Sequence, residues 1–373
     1  MDQGWTVSAV LRKERWSKDP YPLDRILLSS SPRELVWLLA KPTRPQQQLT
    51  INADANILDA VANSRLANLP PELLDQILGY LDAPDLQHAS FTSQYFWNVC
   101  YEQFLKRFMA GLGSWAGESL VCLGSNCDGE DTWGPPGMLT PQEVKELCST
   151  QKTLPNERLT LFEMLIRGRT PGTLSNCIYD FAPARCFDEN DKYELRMQYD
   201  ELVSSLPENL ELDWIDQHPE AAGLFLSGND WYRVHNLYPQ NEKHILRNLT
   251  TKEYVRAEAI AIDPSRVSGP YIDGIGFGEV VLSRICWSSE EQWFSDEYDW
   301  GRYEGDIHRG VWAGHAFDIT TVSRHMEEAK EEWTDVSDEV AREIAALWEF
   351  SLGEHWRDEV MKRAFILEND FYY

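Results

Sequence analysis

Apolar positions change their spacing twice along the 373-residue chain. From residue 70 to residue 108 they recur at helical intervals. Leu73, Leu74, Ile77, Leu78 and Leu81 fall one, three and four residues apart, which is one face of a helix. Pro70-Pro71 suits its start, because the fixed φ and missing N–H of proline cost nothing in a first turn. Asp82-Ala83-Pro84-Asp85 then punctuates. A second short helix carries Leu86 and Ala89, and a third, capped by Ser93, carries Phe96, Trp97, Cys100, Phe104, Leu105 and Phe108. Gly79 sits inside the first helix at a cost of about 1 kcal/mol relative to alanine, which points to close packing or to simple tolerance.

Before this stretch, prolines at positions 20, 22, 32, 42 and 45 and the run Gln46-Gln47-Gln48 interrupt every period. Residues 1–65 are therefore expected as a poorly ordered leader. Short helices fit Pro32–Ala40, with Ser31 as N-cap, and Asp54–Arg65. After the leucine-rich stretch, Gly111–Pro136 is rich in Gly, Asp and Pro and reads as a loop insert. Helical patterns at Pro141–Cys148, Asn156–Arg167 and Lys192–Leu206 complete a helical connector over 111–215. Beyond residue 216 the spacing turns strand-like. Trp231–His235, His244–Leu249, Tyr254–Ile262 and Glu279–Cys286 are β-rich runs between Pro, Gly, Asn and Asp. Helices return at Val336–Leu352, broken at Gly353, and at His355–Leu367. The class is α+β: a trihelical module at 66–110, the helical connector, and a mixed domain at 216–373 with an antiparallel sheet. No period of twenty to fifty residues repeats, which disfavours solenoids and propellers.

Composition narrows the function. Hydrophobic residues make up 43% of the chain, enough for a sizeable core. No run of eighteen uncharged apolar residues occurs, and the N-terminus lacks a secretory h-region, so a cytoplasmic or nuclear protein without a membrane partner is expected. Seven cysteines include no Cys-x-x-Cys pair. The sequon Asn248-Leu249-Thr250 is read as chance in such a protein. The formal charge of −27 opposes nucleic-acid and anionic-membrane binding. Glu327-Glu328, Glu331-Glu332 and the span 288–306 concentrate this acidity, as a solvated face or as a surface for a basic partner.

Candidate chemistry is sparse. His308 and His315, with Asp306 and Asp318, are the best metal cluster on offer, but seven residues apart in an extended run they fall on opposite faces. Gly274-Ile275-Gly276-Phe277-Gly278 is not a phosphate-binding fingerprint, and preceding a strand-like run it reads as a hairpin turn. No nucleophile elbow, Walker lysine or zinc-protease motif occurs. No catalytic residue, metal or cofactor is expected. Fifteen tryptophans are many, and most belong in cores. Trp293 and Trp300 stand in a carboxylate-rich run with Glu290 and Glu291, an aromatic and acidic combination that suits a basic peptide.

Leu69-Pro70, Glu72-Leu73-Leu74, Ile77-Leu78, Leu81-Asp82, Asp85-Leu86 and Ser93 ahead of an aromatic pair resemble the F-box. The resemblance implies a trihelical module that docks on a Skp-type adaptor, which in turn connects to a cullin and a ubiquitin-conjugating enzyme. It implies Leu69, Pro70, Leu73, Leu74, Ile77, Leu78 and Leu86 at the adaptor contact. A unit this small has too little interior for all its leucines and aromatics, so surplus apolar area seeks a partner. One departure is Gln94-Tyr95-Phe96, where many F-boxes carry basic residues. Segments 244–255 and 305–315 are similar in flavour to F-box proteins of filamentous fungi. The expected role is non-catalytic recruitment of a protein client to an SCF-type ubiquitin ligase. The alternatives are a scaffold that binds the adaptor without a cullin, and an enzyme with its site in the C-terminal domain.

Overall fold

Alternation of Trp5, Val7 and Ala9 with Thr6 and Ser8 builds a strand at the very start of the chain. It is buried along its whole length. The structure is a computed structural model and describes residues 3–12, 14–16, 22–28, 32–42, 65–66, 68–81, 83–90, 92, 95–96, 99–100, 102–103, 112–127, 134–149, 238–289, 303 and 305–369. The chain divides into two units: Met1–Lys41 with Gly113–Thr170 and Tyr238–Tyr373, and Pro42–Leu112 with Pro171–Leu237.

In the first unit, β1 (Trp5–Ala9) lies between β2 (Glu14–Arg15) and β3 (Leu120–Gly124), antiparallel to both. β3 pairs in parallel with β8 (Cys286–Trp287), giving the order β2-β1-β3-β8. Cys122 and Cys286 are register partners, and burial pushes the Cys122 thiol well above its ordinary pKa. The expectation of a poorly ordered leader over residues 1–65 therefore fails over residues 5–9. The physical reason is that a five-residue strand satisfies its backbone groups through β3, more than a hundred residues away, a pairing that no local pattern displays. Gly111–Pro136, expected as a loop insert, likewise contains β3, all five residues of which are buried.

A second sheet has the order β10-β5-β4-β9. Its strands are β4 (His244–Asn248), β5 (Glu253–Arg256), β9 (Phe317–Thr321) and β10 (Thr334–Asp335). β4 is antiparallel to β5 and β9, as a mixed domain with an antiparallel sheet requires, while β10 joins β5 in parallel. A two-stranded ribbon joins β6 (Val267–Ser268) to β7 (Tyr271–Ile272). Helices α1 (Leu23–Leu28) and α2 (Arg33–Leu39) follow β2 in sequence, with Pro32 at the N-cap of α2. Helix α5 (Pro141–Ser149) starts where proline predicted it. The run Tyr254–Ile262 is strand only through Arg256, after which α6 (Ala257–Ile260) adds one helical turn.

Glu279–Cys286 is the clearest reversal. Through Arg284 it is not a strand but the body of α7 (Phe277–Arg284), with only Cys286 in β8, and the preceding glycines open that helix instead of a hairpin. Glu279 Oε2 accepts the Gly276 N–H at 2.9 Å, satisfying one of the donors that a helix start leaves unpaired. Nearly every α7 residue is buried, so its apolar run has no polar face. A helix of that kind and a buried strand look alike in sequence. Gly278 sets the depth: an added Cβ would lie 1.8 Å from the Pro32 carbonyl oxygen, so α7 meets the start of α2 at backbone contact. Helices α8 (Val322–Glu328), α9 (Ser337–Leu352) and α10 (Trp356–Asn369) close the unit. Gly353 ends α9 at φ +78°, as its position in the sequence foretold.

His244 opens β4 in a buried position, where its Nδ1 lies 3.2 Å from the Glu242 carbonyl. Desolvation pulls its pKa down from 6.5 to about 4, only partly offset by that carbonyl. The unfolded chain then takes up a proton near pH 6.5 that the folded chain refuses until about pH 4. Acidification through this window therefore removes stability, up to about 3 kcal/mol from this one group. Thermal unfolding of the wild type should fall more steeply between those pH values than that of His244→Gln. Equal slopes would remove His244 from the account.

In the second unit, α3 (Pro71–Tyr80) and α4 (Ala83–Ser90) are described, together with helical residues at 95–96, 99–100 and 102–103. The expected elements at Asn156–Arg167, Lys192–Leu206 and Trp231–His235 lie outside the described residues, as does all of Asp54–Arg65 except Arg65, a turn residue.

Candidate docking site

Helix α3 begins as its prolines dictate. Pro70 stands at the N-cap with φ −50° and ψ 138°, and Pro71 takes the first helical position. The Pro70 carbonyl accepts the Leu73 and Leu74 N–H groups at 3.0 and 3.1 Å. Glu72 places negative charge in the first turn, where the helix dipole favours it. The helix stops at Leu81, which is extended and donates its N–H to the Leu78 carbonyl.

Two apolar stripes run along this helix. Leu74 and Leu78, one turn apart, are 2% and 1% exposed. Leu86 of α4 is fully buried, and Phe96, Cys100 and Gln103 are buried in the same unit. Gln103 Nε2 donates to both the carbonyl and the carboxylate of Asp75, tying the later helical segment to α3. Tyr95 and Phe96 pack edge to face, with ring centroids 5.4 Å apart. The second stripe is Leu73, Ile77 and Tyr80, at 47%, 41% and 86% exposure. At about 100° per residue these three fall within one narrow sector, about 100° round the helix from Leu74 and Leu78. Leu66 is also exposed, Pro70 is exposed and Leu69 is half-buried.

The seven residues expected at the adaptor contact therefore divide. Leu69, Pro70, Leu73 and Ile77 offer surface; Leu74, Leu78 and Leu86 have almost none to offer. Tyr80 belongs to the exposed stripe and was not among the expected seven. Its signal was in the sequence, since it stands seven residues after Leu73 and three after Ile77. Gly79 needs no close neighbour, for a Cβ added there meets nothing within 4 Å. Gly79→Ala should accordingly raise the stability of this unit by about 0.5–1 kcal/mol in thermal or urea unfolding. A loss would mean that the backbone at 79 relies on freedom that alanine lacks.

The other candidates disperse. Trp293, Trp300, Glu290 and Glu291 lie outside the described residues. Asp318, offered as a metal ligand, is fully buried and receives Arg247 Nε and Nη2 at 2.7 Å each, its register partner across β4 and β9. Lys41 Nζ adds a third contact at 3.0 Å, and Arg247 Nη2 also reaches Glu328 at 2.9 Å. Burial disfavours the Arg247 charge, but Asp318 and Glu328 outweigh it and raise its pKa. His315 Nδ1 faces the Asn248 side-chain amide at 2.9 Å, and Asp306 is exposed. Among the described residues, no group of three or more His, Cys, Asp and Glu side chains is placed to hold a metal ion.

The sequon is closed off as well. Asn248 is buried, its Oδ1 accepts the Thr250 and Thr251 N–H groups, and its Nδ2 is turned to His315. A cavity between Leu27, Glu279, Trp348 and Val360 encloses about 10 Å³, room for roughly one water. No described helix is long and apolar enough to cross a membrane.

Residues 66–109 match the family model described as F-box-like. The chain carries an F-box-like domain, and both apolar stripes of α3 lie within it. No curated protein and no solved structure matches the chain.

Proposed function

We propose that this chain is the substrate-recognition subunit of an SCF-type ubiquitin ligase, docked on a Skp-type adaptor through the exposed stripe of α3. F-box-like domains are typically non-catalytic adaptors, and at the level of the family the match supports such a role. The observation that carries the reading to particular residues is the division of α3. Leu74 and Leu78 hold the module together, while Leu73, Ile77 and Tyr80 remain for a partner, with Leu69 and Pro70 at the helix start. Half-exposed leucine and isoleucine beside an exposed tyrosine form the kind of apolar and aromatic patch that anchors interfaces.

The mechanism is proximity. The F-box-like domain fixes the chain to the adaptor, and the remainder holds a protein client near the charged conjugating enzyme, raising the effective concentration of a client lysine. No side chain of this chain takes part in bond making. The aromatic and acidic run around Glu290, Glu291, Trp293 and Trp300 is the proposed client contact, suited to a basic peptide through charge steering and cation–π attraction.

The test is affinity capture of the intact chain followed by identification of its partners. Adaptor together with cullin supports the ligase reading. Adaptor without cullin would favour a non-degradative scaffold, and absence of both would overturn the proposal.

A further inference from the structure

We infer that the F-box-bearing segment 42–112 is inserted into the client-side unit, so that residues 1–41, upstream of the F-box, form part of that unit's fold. The name client-side rests on the function proposed above; the insertion rests on hydrogen bonding, burial and backbone contact. β1 is not a peripheral strand. It supplies the interior of its sheet, with β2 on one side and β3 on the other, and Trp5, Val7 and Ala9 are almost wholly buried. Without β1, the β3 edge would lose its partners across Trp5↔Gly124 through Ala9↔Leu120. Unpaired buried backbone groups of this kind are costly.

The ends of the insertion are pinned side by side. The Trp37 carbonyl accepts the Gly113 N–H at 2.7 Å, and the Leu38 carbonyl accepts the Trp115 N–H at 2.8 Å. Ala40 bridges in parallel to Ile319, and the Lys41 N–H reaches the Ile319 carbonyl at 3.2 Å. The Ala40 carbonyl also accepts the Tyr238 hydroxyl at 3.2 Å, so a third stretch of the chain is fastened at the same place. Gly113 adopts φ +64°, and a Cβ there would stand 2.9 Å from the Ala40 oxygen. The chain thus leaves the unit at Lys41 and returns at Gly113 within hydrogen-bond reach of its departure. An insertion whose ends are already held together costs its host little, because closure entropy grows only slowly with the length of the loop.

Two consequences follow for function. A truncation that begins at the F-box keeps the adaptor module but removes the middle of a sheet in the client-side unit. Conversely, disrupting the F-box core leaves that sheet whole. Amide hydrogen exchange on the full chain reads both. In the wild type, residues 5–9 should exchange in step with residues 120–124, on the order of a thousandfold more slowly than an unfolded peptide. Val7→Asp should abolish protection in both strands while α3 keeps its own, and Leu78→Asp should do the reverse. Unprotected amides at 5–9 in the wild type, or either substitution opening both units, would overturn the insertion. Capture of a Skp-type adaptor by the wild type is a separate readout. Its failure would remove the proposed function and leave the exchange pattern standing.

Discussion

Replacing Leu73 and Ile77 together by alanine is expected to weaken capture of a Skp-type adaptor by on the order of a hundredfold while leaving the fold intact. Each side chain is a little under half exposed, so docking can remove about half of its apolar surface from water. Full burial of a leucine or isoleucine is worth about 1.5–3 kcal/mol, and interface truncations at a packed centre commonly cost somewhat more than area alone suggests. A combined loss near 3 kcal/mol corresponds to about two powers of ten in affinity. The same substitutions remove nothing from the interior that Leu74, Leu78 and Leu86 form. Circular dichroism and melting temperature should therefore change little. Leu74→Ala is the contrasting variant: it empties a buried site and should cost about 2–5 kcal/mol of module stability. A triple variant that included Leu74 would confuse undocking with unfolding. Unchanged adaptor capture by Leu73→Ala, Ile77→Ala would place the contact elsewhere.

Asp318→Ala should be among the most damaging single changes in the first unit, with a loss of about 3–5 kcal/mol in urea unfolding. Arg247 has a side chain only 5% exposed and donates to both Asp318 oxygens. Removing the carboxylate leaves the guanidinium to Glu328, which is itself substantially exposed. Lys41 loses its partner as well, at the point where the chain departs toward the F-box. The cost comes from leaving a buried charge unpaired rather than from the worth of the pair, so an Arg247→Met, Asp318→Leu double variant should recover most of it. A loss below about 1 kcal/mol for Asp318→Ala would show that Glu328 takes over the guanidinium.

The F-box was legible because its signal is local. Leu-Pro at a helix start, leucines one turn apart and an Asp-x-Pro-Asp break are all spelled within one short segment. What the pattern could not divide was the apolar face. Leu73 and Leu74 are neighbours in sequence with the same chemistry, and only the folded structure, in which Leu74 is buried and Leu73 exposed, decides which of them is covered. Helix α7 carries a strand-like pattern for a related reason. When every side of an element is buried, hydrophobicity loses the period that separates helix from strand, and contact with Pro32 rather than local propensity shaped Gly278. The candidate metal cluster failed on partners that no spacing rule could supply, since Asp318 meets Arg247 across two strands seventy residues apart in the chain.

By itself, then, the order of residues determined which module the chain carries, its α+β class, and the ends of α5 and α9. Those features depend on prolines, glycines and helical spacing within a few residues of one another. The tertiary structure decided the rest: that Trp5–Ala9 is a core strand instead of a leader, that Lys41 and Gly113 meet, and that Leu73, Ile77 and Tyr80 stay uncovered on the F-box-like domain. Each of these is settled by contacts between distant parts of the chain, and burial is a property of what arrives from elsewhere.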